Sequence, residues 1–180
     1  MDPKQTWEIR DSDTMLVGKE IKLYQRAIGQ LMYLMLGTCL DICYVVTELV
    51  QASTSPTVCH LQGVLKVFRY LCSHDSIKLS LEANVLMIPP SVSIHPPTNL
   101  VSFFDASLMD CPKMCKSTGA YILFLYGSYI SWSSKKQGLV ALSSTESEFI
   151  AEAEAVKETL SIMNFLESIS YADITKDPHL

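Results

Sequence analysis

The stretch ISWSSKKQGLVALSSTESEFIAEAEAVKETL, residues 130–160, contains the strongest structural signals in the chain. It begins with an aromatic and β-branched run typical of a strand and continues into a helical pattern. Ser143 and Glu146 have the spacing of a capping box, in which hydroxyl and carboxylate satisfy free backbone N–H groups at a helix start. The helix that follows is expected to bury one apolar stripe, made of Phe149, Ala153, Val156, Leu160 and Met163.

Three short apolar runs precede this helix and predict strands. Residues 100–104 form a compact run that ends at Asp105, and residues 121–125 and 129–133 are rich in aromatic residues and Ile. The last two runs are separated by residues 126–128, Tyr-Gly-Ser, and a glycine in so short a connection is typical of a hairpin. The order strand, strand, strand, helix predicts an α/β (α+β) unit.

The first half of the chain has helical periodicity instead. Apolar residues at helical spacing predict one helix over residues 24–36, a second from a cap at Asp41 to about residue 52, and a third over about residues 57–71. Their expected inward-facing residues are Ile28, Leu31, Met32, Met35, Val45, Val46, Leu49, Leu61, Val64, Leu65, Phe68 and Leu71.

A proline-rich stretch separates the two halves. Four of the eight prolines lie within residues 83–99, and consecutive prolines fit neither a helix nor a central strand. We therefore predict a helical segment over residues 1–82, a linker over residues 83–99 and a second domain over residues 100–180.

Composition and charge restrict the class of protein. The 180 residues are 48% hydrophobic, which predicts a buried core, and the formal net charge of −5 excludes a protein that holds nucleic acid by overall positive charge. The N-terminal residues lack the apolar run of a signal peptide, so we expect an intracellular location, cytoplasmic or nuclear, with six free cysteines. Residues 31–47 contain Asp41 and are short for a membrane span, so two buried helices are expected there and no membrane partner.

Two carboxylates are the candidates for chemistry. Asp105 is expected at a strand end, where side chains project beyond the sheet, and Glu148 in the first turns of the long helix. Carboxylate oxygens suit hard cations such as Mg²⁺, and paired metal ions can assist attack on a phosphate. The spacing alone leaves a plainer interpretation open, in which Asp105 is a turn residue and Glu148 a solvated helix residue.

Three motifs resemble those of Ty/copia-type retrotransposon polyproteins. Residues 24–34, YQRAIGQLMYL, resemble the family's Y-R-x-x-I-G-S-L-M-Y-L, and residues 37–42, GTCLDI, resemble G-T-R-P-D-I. Residues 130–149 are very similar to I-S-W-x-S-K-K-Q followed by V-A-L-S-S-T-E-A-E-Y. The last motif is long and unusual, which makes a chance match a poor explanation.

The resemblance implies an origin for each half. The helical segment would be the C-terminal part, thumb or connection, of a reverse transcriptase, and the second half a truncated ribonuclease H-like fold with a three-stranded antiparallel start and a long helix. In that family the domain cleaves the RNA of an RNA–DNA hybrid during retrotransposition, with Mg²⁺ (or Mn²⁺) bound by acidic residues. Asp105 matches the family's first catalytic and metal-binding carboxylate, and Glu148 matches the second.

Departures from the family pattern predict a degenerate enzyme. Ser107 replaces the family's second Asp in S-D-A-D. Asp173 is the one candidate for the third catalytic carboxylate, but fewer residues separate it from Glu148 than a helix, a loop and a strand are expected to need. A residue of a terminal tail is the plainer interpretation of Asp173. A site with too few ligands loses metal affinity and geometry. We therefore expect little cleavage by this chain alone.

Lys135 and Lys136 are candidates for contacts to a nucleic-acid backbone, although a solvated hairpin end explains them equally well.

The alternative function is a non-catalytic interaction module, in which apolar helix stripes or an unpaired sheet edge associate with polymerase domains or with a second copy of the chain.

Overall fold

The computed structural model describes residues 14–74, 79, 100–111 and 115–169. The chain divides into two compact units, Met1–Leu79 and Ser80–Leu180, and each is considered by itself. The linker predicted over residues 83–99 and the candidate carboxylate Asp173 lie outside the described residues. The domain boundaries therefore stay a prediction. Among the described residues, no helix has both the length and the apolar character needed to cross a membrane.

The first unit contains the three predicted helices. They are α1 (Lys19–Gly37), α2 (Cys43–Gln51) and α3 (Val58–Ser73), with a 3-10 turn at Leu40–Ile42 just before α2. The chain breaks after Gly37, and residues 31–47 are divided between α1 and α2 as predicted. The buried faces of α1 and α2 largely follow the predicted stripes, and their innermost side chains are Tyr24, Leu31, Val46 and Leu49.

Two local expectations in this unit are wrong. Asp41 does not cap α2, because it lies inside the 3-10 turn and its carboxylate accepts a hydrogen bond from the Tyr70 hydroxyl at 2.7 Å. The buried face of α3 contains Val64 and Val67 rather than Leu65, which is 46% exposed. Val64 and Leu65 are adjacent in the sequence and about 100° apart around the helix, so each fits at one side of the apolar stripe and apolar spacing alone does not decide which of them faces inward.

The second unit is a three-stranded antiparallel sheet and one long helix, which confirms the predicted fold class. Its strands are β1 (Leu100–Cys111), β2 (Lys116–Leu125) and β3 (Ser128–Lys136), in the order β1-β2-β3, and the helix is α4 (Ser144–Ser168). The predicted hairpin is present between β2 and β3. Its two turn residues, Tyr126 and Gly127, both have positive φ, as the tight turns that match strand twist require.

The first strand is longer than predicted, and this changes the place of Asp105. β1 continues through Asp105, which pairs with Ala120 of β2, and reaches Cys111. The register shifts beyond Ser107, where Met109 adopts a positive φ of 49°. Asp105 is therefore an interior residue of a strand. The bulge that follows it was not predicted, because the sequence there shows no loss of β-forming residues.

The predicted buried stripe of α4 is also wrong. Phe149 is 65% exposed and Leu160 is 51% exposed, whereas the buried residues recur at a spacing of four: Ser147, Ala151, Ala155 and Thr159. The reason lies in the sheet, because the ideal Cβ position at Gly119 of β2 is only 3.4 Å from the Ala151 Cβ atom. An approach this close admits small side chains and excludes large ones.

Candidate functional site

Asp105 occupies an exposed position on the first strand. Its side chain is exposed, and it forms no hydrogen bond or ion pair with another residue in the described part of the chain. A carboxylate in this state remains solvated and available to a ligand. The backbone pairing with Ala120 holds it on a rigid element.

Glu148 lies in the first turns of α4, where the helix start is well defined. The Ser143 hydroxyl accepts a hydrogen bond from the Glu146 backbone N–H at 3.1 Å, as the capping motif predicts. The Glu146 carboxylate reaches back to the N–H of Leu142 at 2.7 Å, one residue earlier than expected. Glu148 itself is exposed and, like Asp105, has no polar partner among the described residues.

The strand register sets the direction of Asp105. Gly119 faces α4 through Ala151, and Ala106 pairs with Gly119 and therefore shares that face. Because side chains alternate along a strand, Asp105 and its partner Ala120 belong to the opposite face of the sheet. In the described ranges, no group of three or more His, Cys, Asp or Glu side chains is placed to hold a metal ion.

Lys135 belongs to the face that packs against α4. Its Nζ atom lies 3.0 Å from Glu154 Oε2, and Lys157 Nζ lies 2.8 Å from Glu154 Oε1. Hydrogen bonds from Lys157 and Lys135 lower the pKa of the Glu154 carboxyl to about 2. Lys135 is thus already paired with an acidic residue, which weakens the expectation that it contacts a phosphate.

Lys136 points to the other face of the sheet, and its side chain is less exposed than that of Lys135. Its Nζ atom lies 3.1 Å from Asp110 Oδ1, and Asp110 also accepts a hydrogen bond from the Thr118 hydroxyl at 2.5 Å. Sequence reasoning did not identify Asp110, because the bulge at Met109 is what brings it beside Lys136. The sequence signal available for Asp110 was an acidic residue in the otherwise uncharged run that follows Asp105.

A cleft of about 310 Å³ lies between the β2–β3 hairpin and α4. Its walls include Tyr121, Lys135, Gln137, Ile150 and Glu154. Gln137 is 6% exposed and donates a hydrogen bond from Nε2 to the Ser147 carbonyl at 2.7 Å, which joins the end of β3 to α4. Its Oε1 atom is buried and has no hydrogen-bond partner within the described ranges of the chain.

The electrostatic environment of Tyr121 in this cleft keeps its hydroxyl neutral. Burial raises the pKa of Tyr121, and the nearby Glu158 carboxylate raises it further. Glu158 in turn accepts a hydrogen bond from the Ser131 hydroxyl at 2.8 Å. The carboxylates of Glu154 and Glu158, both on α4, therefore each contact a side chain of β3.

Comparison with known proteins gives three informative similarities. The chain is 35% identical over 137 residues to the secreted RxLR effector protein 161 of Plasmopara viticola, covering 76% of this chain and 89% of that protein. It is 32% identical over 141 residues to a putative transposon Ty5-1 protein of Saccharomyces cerevisiae, covering 78% of this chain and 42% of that protein. It is also 32% identical over 146 residues to the retrovirus-related Pol polyprotein from transposon TNT 1-94 of Nicotiana tabacum.

The extent of these matches differs greatly. The chain spans nearly the whole of the first relative, less than half of the second and 10% of the tobacco polyprotein. No protein-family model matches the chain, and no solved structure matches it significantly.

Proposed function

Because this chain belongs to the family of Ty/copia-type retrotransposon Pol polyproteins, we propose that its second unit is a degenerate ribonuclease H-like domain that binds RNA–DNA hybrids. The ancestral reaction is cleavage of the RNA strand during retrotransposition. The first unit is the C-terminal helical part of a reverse transcriptase on this proposal. One observation carries this proposal: Asp105 on β1 and Glu148 on α4 occupy the positions of the family's acidic motif residues. Both carboxylates are exposed and have no polar partner among the described residues.

A magnesium site in this unit is supported by the chemistry of the donors but not by their number. Asp105 and Glu148 offer the carboxylate oxygens that Mg²⁺ prefers. The described residues, however, supply no group of three or more candidate ligands, and the strand register turns Asp105 away from α4. These residues alone do not fit a complete metal site, and we derive no metal-dependent step from them.

The expected behaviour is therefore recognition without efficient cleavage. A double-stranded RNA–DNA hybrid differs from DNA in its A-form shape and its 2′-hydroxyl groups, which a protein can contact without reading the sequence. Binding through such contacts requires neither a positive net charge nor a metal. Contacts to the phosphate backbone of the hybrid would be confined to a small area, since both lysines at the end of β3 already form ion pairs.

The test compares the intact chain with the double variant Asp105→Asn/Glu148→Gln. Fluorescence anisotropy should show tighter binding to a labelled hybrid than to DNA of the same sequence. With Mg²⁺ or Mn²⁺ present, release of labelled fragments should be equally low for both proteins. Equal affinity for hybrid and DNA would overturn the proposed binding function. Cleavage by the intact chain that is lost in the double variant would overturn the proposed degeneracy.

A second candidate function is an interaction module, favoured by one surface of the first unit. Three large apolar side chains on α1 are strongly exposed, namely Leu23 at 59%, Tyr33 at 81% and Leu36 at 68%. Tyr33 and Leu36 are three residues apart and are therefore neighbours on the helix surface, and adjacent exposed apolar groups are typical of association surfaces. Association with polymerase domains or with a second copy would cover them. A sizing column run at several concentrations tests self-association, and a monomer at every concentration would contradict that part of the proposal.

A further inference from the structure

An apolar stripe runs along α4 on the side away from the sheet, and we call it the outer stripe. Its residues alternate steps of four and three positions, and they are Phe149, Ala153, Val156, Leu160 and Met163. Ala153 is two residues from both Ala151 and Ala155 of the sheet-facing side, which places it about 160° from each around the helix. Phe149 and Leu160 are 65% and 51% exposed. The stripe that periodicity predicted is therefore present, but the sheet covers the other side of the helix.

The spacing of the outer stripe is that of a seam between two helices. Steps of four and three average 3.5 residues, the repeat that keeps the apolar side chains of two α-helices facing each other. Glu146 and Glu167 continue the spacing at its two ends, so the apolar seam is limited to the stretch between them. Because α4 already packs against its own sheet, a partner helix meets a preformed surface, and association requires no ordering of the helix.

The apolar surface continues beyond the helix start. Leu139 and Leu142 precede α4 and are 70% and 84% exposed. Leu139 lines one open groove together with Phe149 and Ala153, which joins the segment before the helix to the outer stripe. A continuous apolar surface of this kind on a soluble domain is typical of an association site.

Two charged residues beside the outer stripe select its partner. Glu152 precedes Ala153 and Lys157 follows Val156, so the two charges flank the stripe on opposite sides. Lys157 bonds Glu154 of its own helix but its side chain is 71% exposed, and Glu152 forms no hydrogen bond or ion pair with another residue of the described ranges.

These charges match in one orientation of two copies. In parallel helices in register, Glu152 of one copy lies beside the partner's Lys157, and two-fold symmetry repeats this contact. An antiparallel pair would place the two Glu152 sides together and the two Lys157 sides together, so it would form neither contact. The surface is therefore complementary to itself when the two helices run parallel.

We propose that the outer stripe of α4 binds a second copy of this chain, with the two α4 helices parallel and in register. The occupant is this same chain because the 3.5-residue seam and its flanking charges are complementary to themselves. The proposal does not depend on hybrid binding, and its surface differs from the exposed residues of α1. Each residue of the seam faces its own counterpart across the two-fold axis, so a charge introduced there meets a like charge.

Sedimentation equilibrium of the full chain from about 10 μM to about 1 mM tests the dimer, and we expect a Kd of about 100 μM or below, in the range of small interfaces. Leu160→Glu should raise the Kd at least about tenfold, because two carboxylates then face each other. Phe165→Glu is the matched control, since Phe165 is 60% exposed on the same helix but does not belong to the stripe. Phe149→Glu repeats the test at a more exposed position, and circular dichroism of the dilute variants checks that each is folded.

The charge contacts are tested by mixing two variants. Glu152→Lys and Lys157→Glu should each raise the Kd several-fold, whereas an equimolar mixture of the two should form a heterodimer, because every charge then faces its opposite. The absence of a preferred heterodimer would overturn the parallel register.

Three further results would overturn the proposal as a whole. They are a monomer up to about 1 mM, an unchanged Kd in both Leu160→Glu and Phe149→Glu, and an equal loss of association in Phe165→Glu. Tyr33→Ser on α1 separates this dimer from the association surface of the first unit. Association lost in Tyr33→Ser but kept in Leu160→Glu would assign the contact to α1 and contradict a role of α4.

Discussion

The Lys136 ammonium group lies 3.1 Å from the Asp110 carboxylate, and the two side chains are only 12% and 15% exposed. The pair joins the end of β3 to the end of β1 across β2, from which Thr118 also bonds Asp110. Lys135, the preceding residue, forms its ion pair on the opposite face with side-chain exposures of 57% and 37%. Two adjacent lysines of one strand therefore have very different environments.

This difference predicts unequal costs of removing each lysine. Lys136→Met leaves Asp110 without its cation in a largely buried site and should lower the free energy of unfolding by about 2–4 kcal/mol. Lys135→Met breaks an exposed pair and should cost less than about 1 kcal/mol. Urea denaturation of the two variants measures both values. Equal costs would contradict the assignment of Lys136 to a buried ion pair.

The carboxyl group of Glu154 should titrate far below a free glutamate. Its pKa is lowered from 4.5 to about 2 by Lys157 and Lys135, so the folded state is favoured above pH 4.5 and this contribution is lost as the pH falls from 4.5 to 2. NMR of the labelled carboxyl carbon measures the midpoint. Lys157→Gln and Lys135→Gln should each move it upward, and a midpoint near 4.5 in the unaltered chain would show that the pairs do not form in solution.

Gly119 should tolerate no side chain. A Cβ atom there would lie 3.3 Å from Gln137 Nε2 and 3.4 Å from the Ala151 Cβ atom, both on groups that are held in place. Gly119→Ala should therefore lower the free energy of unfolding by about 1–3 kcal/mol, as overpacking does. Gly138→Ala, where the added carbon meets open space, should be neutral or stabilising by up to about 1 kcal/mol. Thermal unfolding of the pair of variants provides the comparison.

The buried face of α4 can be tested by one substitution on its buried side and one on its exposed side. Ala155 has no exposed surface, so Ala155→Leu should push the helix from the sheet and cost about 1–3 kcal/mol. Phe149 is largely exposed, and Phe149→Ser should change stability by no more than about 0.5 kcal/mol. Denaturant unfolding curves decide between the two faces, and the reverse order of costs would restore the stripe predicted from periodicity.

In the first unit, Tyr24 ties α1 to the end of α2. Its fully buried hydroxyl donates a hydrogen bond to the Leu49 carbonyl at 2.7 Å, and burial raises its pKa from 10.0 to about 12. Tyr24→Phe should cost about 1–2 kcal/mol, because it leaves that carbonyl without its donor. Since the folded pKa is raised, the contribution of the intact residue is present below pH 10 and is lost between pH 10 and 12. Ultraviolet titration with Tyr33→Phe, an exposed tyrosine of the same helix, as the control should identify the late-ionising group.

The sequence alone determined the elements whose signals are local. Ser143 caps its helix, and residues 126 and 127 form a tight turn, because a hydroxyl three residues from an N–H and a glycine that accepts positive φ act within a few residues of chain. The same local information predicted the fold class and the motifs that relate this chain to the retrotransposon polyproteins. Asp105 and Glu148 were also named from the sequence; they are exposed residues of β1 and α4, with Asp105 inside its strand and not at the predicted strand end, and their role stays a prediction.

Only the tertiary structure decided which faces and partners these elements have. Alanine and serine carry little hydrophobic signal, so the stripe of α4 became visible only against Gly119, where close approach selects small side chains. Asp110 contacts Lys136 because a bulge near Met109 changes the register of β1. The residues on either side of Asp110 in the sequence do not indicate that contact. Contacts between residues distant in the chain depend on the packed surfaces as a whole, and this is why the cleft at Gln137 could not be predicted from periodicity or motif.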